Sequence, residues 1–431
     1  MEHHLWAQYP PRGWNSWDCY GAAVREEEII GNAEYMSTHL KEHGWEYIVV
    51  DIQWYEAGAV SSAYRKFEPL EMDNYSRLIP AVNRFPSSKD GQGFRLLADR
   101  VHQLGLKFGI HIMRGIPRQA VHQNTAIKGT HITARQIAHP NSICPWNTDM
   151  YGVDASQEGA QQYYNSLFEM YAEWGVDFVK VDDIAASRLY DTHLEEIELI
   201  RRAIDQCGRP MVLSLSPGPA PLQYQQQLRD HANMWRVTDD FWDIWSLLYA
   251  MFERCEKWSP YVGEGSWPDC DMLPLGHIGI RSVDGGGADR WTRFTPDEQR
   301  TMMTLWSIFR SPLMFGGELR DNDEWTLSLL NNPLILEMNH KSRQAYQLSR
   351  DEQDRIIWVA EEDGTHNRYI ALFNAGEEQN TVTLDLSLLD ITVPVNLHNL
   401  WQPTEQLTVQ EQWEIELPPH GCVVYRLESL A

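Results

Sequence analysis

Long apolar runs are absent. No stretch approaches the roughly 20 residues that a membrane-spanning helix needs, which excludes an integral helical membrane protein. Cysteine pairs are absent as well: Cys19, Cys144, Cys207, Cys255, Cys270 and Cys422 are scattered, with no C-x-x-C among them. In a chain of 431 residues that pattern reads as reduced thiols, and a cytoplasmic location is expected. The opening Met1-Glu2-His3-His4-Leu5-Trp6 has neither the basic nor the apolar region of a secretory signal. Positive charge is scarce: 36 Lys and Arg stand against 61 Asp and Glu, a net charge of −25. Such a surface repels phosphate backbones, so nucleic acid is not an expected partner. Neither H-E-x-x-H nor a complete EF-hand loop occurs, and G-x-S-x-G and the Rossmann fingerprint are missing too. Asp284-Gly285-Gly286-Gly287 is glycine-rich but has no Lys-Ser/Thr behind it, so it does not read as a phosphate loop.

Tryptophan, by contrast, is abundant, with 18 residues. Indole faces stack on the C–H patches of sugar rings. Carbohydrate binding and a large aromatic core both fit the number. The length corresponds to about two to three domains and buries a sizeable core without disulfide or metal staples.

A unit recurs along the chain: an amphipathic stretch, a Gly break, then a short β-branched run ending in polar residues. Ile29, Ala33, Met36 and Leu40 share one helical face, His43-Gly44 stops the helix, and Trp45 to Asp51 follows as a strand. Further strands are expected at 107–113, 176–183 and 211–216, at 234–240, 266–272 and 313–319, and first of all at 13–17. Alternating β and α units imply parallel strands with helical crossovers, and eight of them predict a (β/α)8 TIM barrel over residues 1–340. The zone 115–150 mixes Gly, Pro, His and Asn and reads as a long loop over the barrel mouth. From 341 to 431 the pattern changes to short β runs at 355–359, 369–373, 381–386, 393–397, 413–417 and 423–427. Turn signals separate them with no helical pattern between, which predicts a small antiparallel β-sandwich domain.

In such a barrel, functional groups stand at the C-terminal ends of the strands. Those ends carry Trp14 and Trp17, Asp51, Gln53 and Trp54, His111 and Arg114, Lys180, Asp182 and Asp183, Ser216, Arg236, Asp239 and Asp240, and Asp269 and Asp271. Two carboxylates across a cleft suit glycoside cleavage, one attacking the anomeric carbon and the other protonating the leaving oxygen. Each residue also has a plainer reading. A strand-end Asp caps a helix, Lys180 forms an ordinary ion pair, and Trp14 or Trp17 packs. Asp269-x-Asp271 and Asp182-Asp183 could ligate a divalent metal, but Lys180 and Arg236 beside them would repel a cation.

Pro11-Arg12-Gly13-Trp14-Asn15-Ser16-Trp17, Val50-Asp51-x-x-Trp54, Val179-Lys180-Val181-Asp182, Trp235-Arg236-x-x-x-Asp240 and Asp269-x-Asp271-Met272 occur in this order. Together they resemble glycoside hydrolase family 27, the family of α-galactosidases, α-N-acetylgalactosaminidases and β-L-arabinopyranosidases. The resemblance implies a retaining double displacement with no metal and no cofactor. It implies Asp182 as nucleophile and Asp240 as acid/base. It further implies that Trp17 stacks on the ring, Asp51 binds the O4 side, Lys180 binds hydroxyls, Arg236 binds O2 and Asp271 supports that corner. Trp54 belongs to the same substrate-binding set.

Three departures bear on the sugar. Many members carry a second Asp after the one at position 51; here Ile52 stands there. Ser216-Pro217-Gly218 replaces a Cys-Glu-Trp that holds O2, with Ser216 as a candidate for part of that contact, and an aromatic position on the third strand is His111. β-L-Arabinopyranose matches α-D-galactose at every ring hydroxyl but lacks the hydroxymethyl arm on C5. Ile52 offers that arm no acceptor, and an unpaired O6 in a closed pocket costs roughly 1–3 kcal/mol. The expected activity is therefore that of an exo-acting β-L-arabinopyranosidase with weaker α-galactosidase activity. The expected partners are a small carbohydrate substrate and further copies of the chain in a homo-oligomer. The alternatives are an α-galactosidase, a non-catalytic lectin on the same scaffold, and a divalent-metal hydrolase.

Overall fold

The structure is a computed structural model that describes residues 2–61, 63–187, 189, 191–283 and 288–429. The glycine-rich stretch at 284–287 lies outside the described residues.

Eight short parallel strands form one curled sheet: β1 Arg12–Asn15, β2 Tyr47–Val50, β3 Lys107–Met113, β4 Phe178–Asp182, β5 Val212–Leu215, β6 Met234–Arg236, β7 Trp267–Asp269 and β8 Leu313–Phe315. Their order is β7-β6-β5-β4-β3-β2-β1-β8. Leu273, just beyond β7, makes a parallel bridge to Phe315 of β8, donating its N–H to Met314 O (2.8 Å) and accepting from Gly316 N (2.9 Å). That bridge joins the two edges and completes the expected barrel. Every residue of β1, β2, β5, β6, β7 and β8 is buried, as parallel strands under helical crossovers must be.

The helix Glu26–His39 shows how sequence sets the crossovers. Glu26, Glu27 and Glu28 fill its first turn, where the helix dipole favours negative charge. Ile29, Asn32, Ala33 and Met36 form its buried face at i, i+3, i+4 and i+7. Gly44, at φ +83°, ends the following turn in the left-handed region that glycine enters freely.

The 115–150 zone departs from the expected loop. It folds into short helices Arg118–Gln123 and Ala134–Ile137 and a three-stranded antiparallel sheet of Ile116–Pro117, Met150–Val153 and Ala138–Ile143. No residue of the outer strand Ala138–Ile143 is buried, so its polar sequence carries no apolar alternation to reveal it.

The C-terminal sandwich has a six-stranded antiparallel sheet and a two-stranded one. The strands are β9 Ser342–Arg350, β10 Arg355–Glu362, β11 Arg368–Asn374, β12 Asn380–Asp385, β13 Val395–Asn399, β14 Gln406–Val409, β15 Gln412–Leu417 and β16 Cys422–Ser429. The larger sheet runs β9-β10-β11-β16-β13-β14, and β12 pairs with β15. Ile357, Ile370, Leu372, Leu384, Leu397 and Tyr425 belong to its core. β9 and β14 add to the six expected β runs. Both lie at sheet edges with largely unburied, polar faces, which is why no hydrophobic period announces them.

By compactness the chain divides into Met1–Asp240 with Glu264–Thr292 and Leu313–Asn322, and Phe241–Gly263 with Arg293–Pro312 and Asp323–Ala431. The second unit thus includes the helices Trp245–Trp258 and Pro296–Phe309.

Candidate active site

The register of the sheet assembles the site. His111 on β3 is paired with Lys180 on β4, and Met113 with Asp182. Side chains two residues apart share a face, so His111, Lys180 and Asp182 emerge together at the carboxyl end. Asp51 lies one residue beyond β2.

Asp51 is buried at 1% exposure. Its Oδ2 accepts from Asn15 Nδ2 (2.8 Å) and Lys180 Nζ (3.1 Å), and its Oδ1 from the Ile52 N–H (2.9 Å). The Asp51 N–H donates to Ser16 Oγ (3.0 Å). Asp182 holds His111 Nε2 at 3.0 Å from its Oδ2, while its Oδ1 accepts from the Asp183 N–H (2.8 Å). His111 Nε2 is 3.9 Å from Asp51 Oδ1, so one imidazole edge stands between both carboxylates.

A second corner forms around Arg236 at the end of β6. Nη2 reaches Asp240 Oδ1 at 3.0 Å and Nη1 reaches Asp271 Oδ1 at 3.0 Å, while Nε donates to Thr238 O (3.2 Å). The Asp271 N–H donates to Asp269 Oδ1 (2.9 Å). Exposure separates the acids: the Asp182 side chain is 16% exposed and that of Asp240 is 59% exposed.

Electrostatics follow from this packing. Burial pushes the Asp51 carboxyl up, but Lys180, His111 and the hydrogen bond from Asn15 outweigh it and hold it below the usual carboxylate range. For Asp182 the same burial is outweighed by the His111 hydrogen bond and charge, Lys180 and the Asp183 N–H, so it stays ionised. Burial lowers Lys180, yet Asp51 and Asp182 hold it well above its ordinary value. Asp269 goes the other way: burial and the neighbouring Asp271 push it up to about 7 against the pull of Arg236. Asp183 is pushed up to about 6 by burial, with Arg114 opposing and Asp182 adding.

The aromatic rim contains one expected residue and two that sequence reading missed. Trp17 stacks on Tyr64 with centroids 6.1 Å apart, and Tyr64 meets Trp146 at 5.6 Å. Tyr64 and Trp146 sit in long connections, where no periodicity marks a residue as facing the site. Trp14 takes its packing role, with a buried indole donating to Gly317 O (2.7 Å). Trp54, an expected sugar contact, is packed tightly into the core. Its ring is fully buried among Tyr55, Phe94 and Trp174, and Nε1 donates to His111 O (2.7 Å), so it supports the floor from behind. Ser216 is buried and its Oγ donates to Val181 O (3.4 Å). Ile52 is buried at 1% exposure beside Asp51.

The buried Arg84, also unannounced by any motif, donates to Ala22 O, Val24 O, Gln53 O and Glu56 O, tying the segments after β1 and β2. The side chains of Asp183 and Asp239 have partners of their own. Asp183 pairs with Arg114 (3.0 Å), and Asp239 Oδ1 accepts from the Asp240 N–H (2.9 Å).

A barrel mouth holding the buried carboxylates of Asp51 and Asp271, the largely enclosed one of Asp182 and the exposed one of Asp240, flanked by Lys, Arg and an aromatic rim, is the arrangement of a glycoside hydrolase. Two family profiles match the chain, one described as alpha galactosidase A over residues 148–341 and one as alpha galactosidase C-terminal beta sandwich domain over residues 352–427. A β-L-arabinopyranosidase of family 27 from Geobacillus stearothermophilus is 64% identical, with 100% of this chain and 99% of that one covered and a TM-score of 0.98. A variant of the Geobacillus enzyme in complex with arabinose is 63% identical, covering 100% of both chains, again at a TM-score of 0.98. The α-galactosidase of Cyamopsis tetragonoloba is 26% identical over 97% of this chain and 86% of its own length. The chain belongs to glycoside hydrolase family 27.

Proposed function

We propose that this enzyme is a retaining exo-glycosidase that releases terminal β-L-arabinopyranose and acts more weakly on α-D-galactopyranosides. Asp182 attacks the anomeric carbon and forms a glycosyl-enzyme ester. Asp240 protonates the leaving oxygen, then deprotonates the water that hydrolyses the ester. Trp17 stacks on the ring, Asp51 and Lys180 bind hydroxyls on the O4 side, Arg236 binds O2, and Asp271 fixes Arg236. The catalytic part comprises 1–340 and the β domain 341–431. The enzyme acts in the cytoplasm as a homo-oligomer, without a cofactor.

The observation that carries the sugar assignment is Ile52 beside Asp51, an apolar side chain where a galactose site needs a polar partner for the C5 arm. The identity of 64% to a β-L-arabinopyranosidase supports it. The α-galactosidase reading is favoured instead by the 26%-identical plant enzyme. Parallel kcat/KM measurements on nitrophenyl β-L-arabinopyranoside and α-D-galactopyranoside decide between them. A preference of at least about tenfold for the arabinoside, equivalent to about 1.4 kcal/mol between transition states, is expected. Proton NMR of the first-formed sugar should show the substrate's anomeric configuration, and an inverted product would refute the mechanism. Asp182→Ala and Asp240→Ala should each lose several powers of ten in kcat while folding normally. EDTA should leave the activity intact; sustained loss would restore the metal-hydrolase reading.

A further inference from the structure

Arg114 follows β3 and is buried at 2% exposure. Its N–H donates to Asp182 O (3.1 Å) and its Nε to Asp183 O (2.6 Å). Nη2 lies 3.0 Å from Asp183 Oδ2, and Nη1 lies 3.1 Å from Glu196 Oε2 and donates to Ser142 Oγ (3.0 Å). Glu196 is fixed in turn by the Tyr164 hydroxyl (2.7 Å) and the Val153 N–H (3.0 Å). Asp183 sits at φ +54°, a left-handed conformation that a residue other than glycine keeps only where its surroundings enforce it. In that conformation its N–H donates to Asp182 Oδ1 (2.8 Å).

Taking Asp182 as the nucleophile, as proposed above, we infer that Arg114 is a positioning residue for it. The guanidinium clamps both the carbonyl and the carboxylate of Asp183. The clamp keeps the Asp183 N–H on one nucleophile oxygen while His111 holds the other. The last side-chain torsion of an aspartate is intrinsically broad, so two donors on opposite oxygens are what fix the plane of the attacking carboxylate. Displacing a reacting group by about 1 Å costs on the order of 10²-fold in rate. A network that merely fastened the segments after β3 and β4 would alter stability and leave the attack rate alone.

The test uses the whole enzyme with 2-deoxy-2-fluoro-β-L-arabinopyranosyl fluoride. A carboxylate oxygen bonds to the anomeric carbon as fluoride leaves with the C–F electron pair, and the ester formed hydrolyses slowly. Intact mass, peptide mapping and the inactivation constants kinact and KI are read alongside Tm. Wild type should carry the label on Asp182. Arg114→Met should lower kinact at least about tenfold with KI within about twofold. Arg114→Lys retains the charge beside Asp183 and Glu196 but loses the fork, and should fall between. If Arg114→Met does not fold, Arg114→Lys alone carries the test. Labelling of the folded variants at the wild-type rate, with or without a fall in Tm, overturns the positioning role. A label on wild type anywhere but Asp182 instead refutes the nucleophile assignment, and the role of Arg114 falls with it.

Discussion

Asp182 and Asp183 are adjacent in the chain and opposite in circumstance. The first is held ionised by His111 and Lys180, and the second is pushed up to about 6 by burial beside Arg114. The alternation of strand side chains anticipates that separation, and the left-handed turn at Asp183 completes it. Asp183→Asn and Asp239→Asn should therefore lose no more than a few-fold in kcat/KM, measured beside Asp182→Ala. The backbone N–H that Asp183 offers Asp182 and its carbonyl bond to Arg114 survive the substitution, and an amide oxygen at 239 still accepts from the Asp240 N–H. A mutant as inactive as Asp182→Ala would move the assigned register by one residue. Ile52 allows a sharper experiment. Ile52→Asp restores an acceptor and trims volume, so the ratio of arabinoside to galactoside kcat/KM should shift toward galactoside by about tenfold, the equivalent of one hydrogen bond of roughly 1.4 kcal/mol. An unchanged ratio would mean that another residue selects the sugar.

At the scale of elements, the eight barrel strands lie where apolar runs followed by polar ends place them, but all except β3 are shorter than those runs. The expected 234–240 strand ends at Arg236 and the expected 266–272 strand at Asp269. Asp271, at φ +77°, cannot extend a ladder. Asp51, Asp240 and Asp271 have left the sheet, whereas His111, Lys180, Asp182, Arg236 and Asp269 are still within it. The acids and cations were legible because each closes a β run within a motif. Tyr64, Trp146 and Arg84 were not, because long-range loop packing sets their positions and leaves no period behind. The packing of Trp54 is hidden for a related reason: its spacing from Asp51 is a sequence fact, but its direction depends on Phe94 and Trp174, far along the chain. Trp54→Phe keeps an aromatic ring, though a smaller one, and removes the donor to His111 O. It should lower the unfolding free energy by about 1–3 kcal/mol in a urea titration and leave KM unchanged. A large rise in KM would return Trp54 to the sugar-binding set.

Across the whole molecule, excess negative charge sits at −25, yet the buried acids divide into two classes with opposite responses to pH. Asp51 and Asp182, held low, contribute stability above the unfolded carboxylate range and lose it as pH falls through their folded values. Asp269, raised to about 7, is protonated in the fold over a window where the unfolded chain is ionised. Its contribution is full below the unfolded carboxylate pKa of about 4 and is lost as pH rises toward 7. Asp269→Asn mimics the protonated form at every pH. Its Tm relative to wild type should therefore climb between pH 5 and pH 8, and a constant difference would refute the assignment.

The unequal exposure of the two catalytic candidates also bears on how protons are supplied. A carboxyl with 59% of its side chain in contact with solvent can exchange directly with bulk water or a passing buffer molecule. In the proposed double displacement the attacking water also returns the proton that this carboxyl gives to the leaving oxygen, so no internal relay is required. Its partner, at 16%, is the more enclosed of the two. Turnover should accordingly be indifferent to buffer concentration at fixed pH, with proton delivery never the slow step.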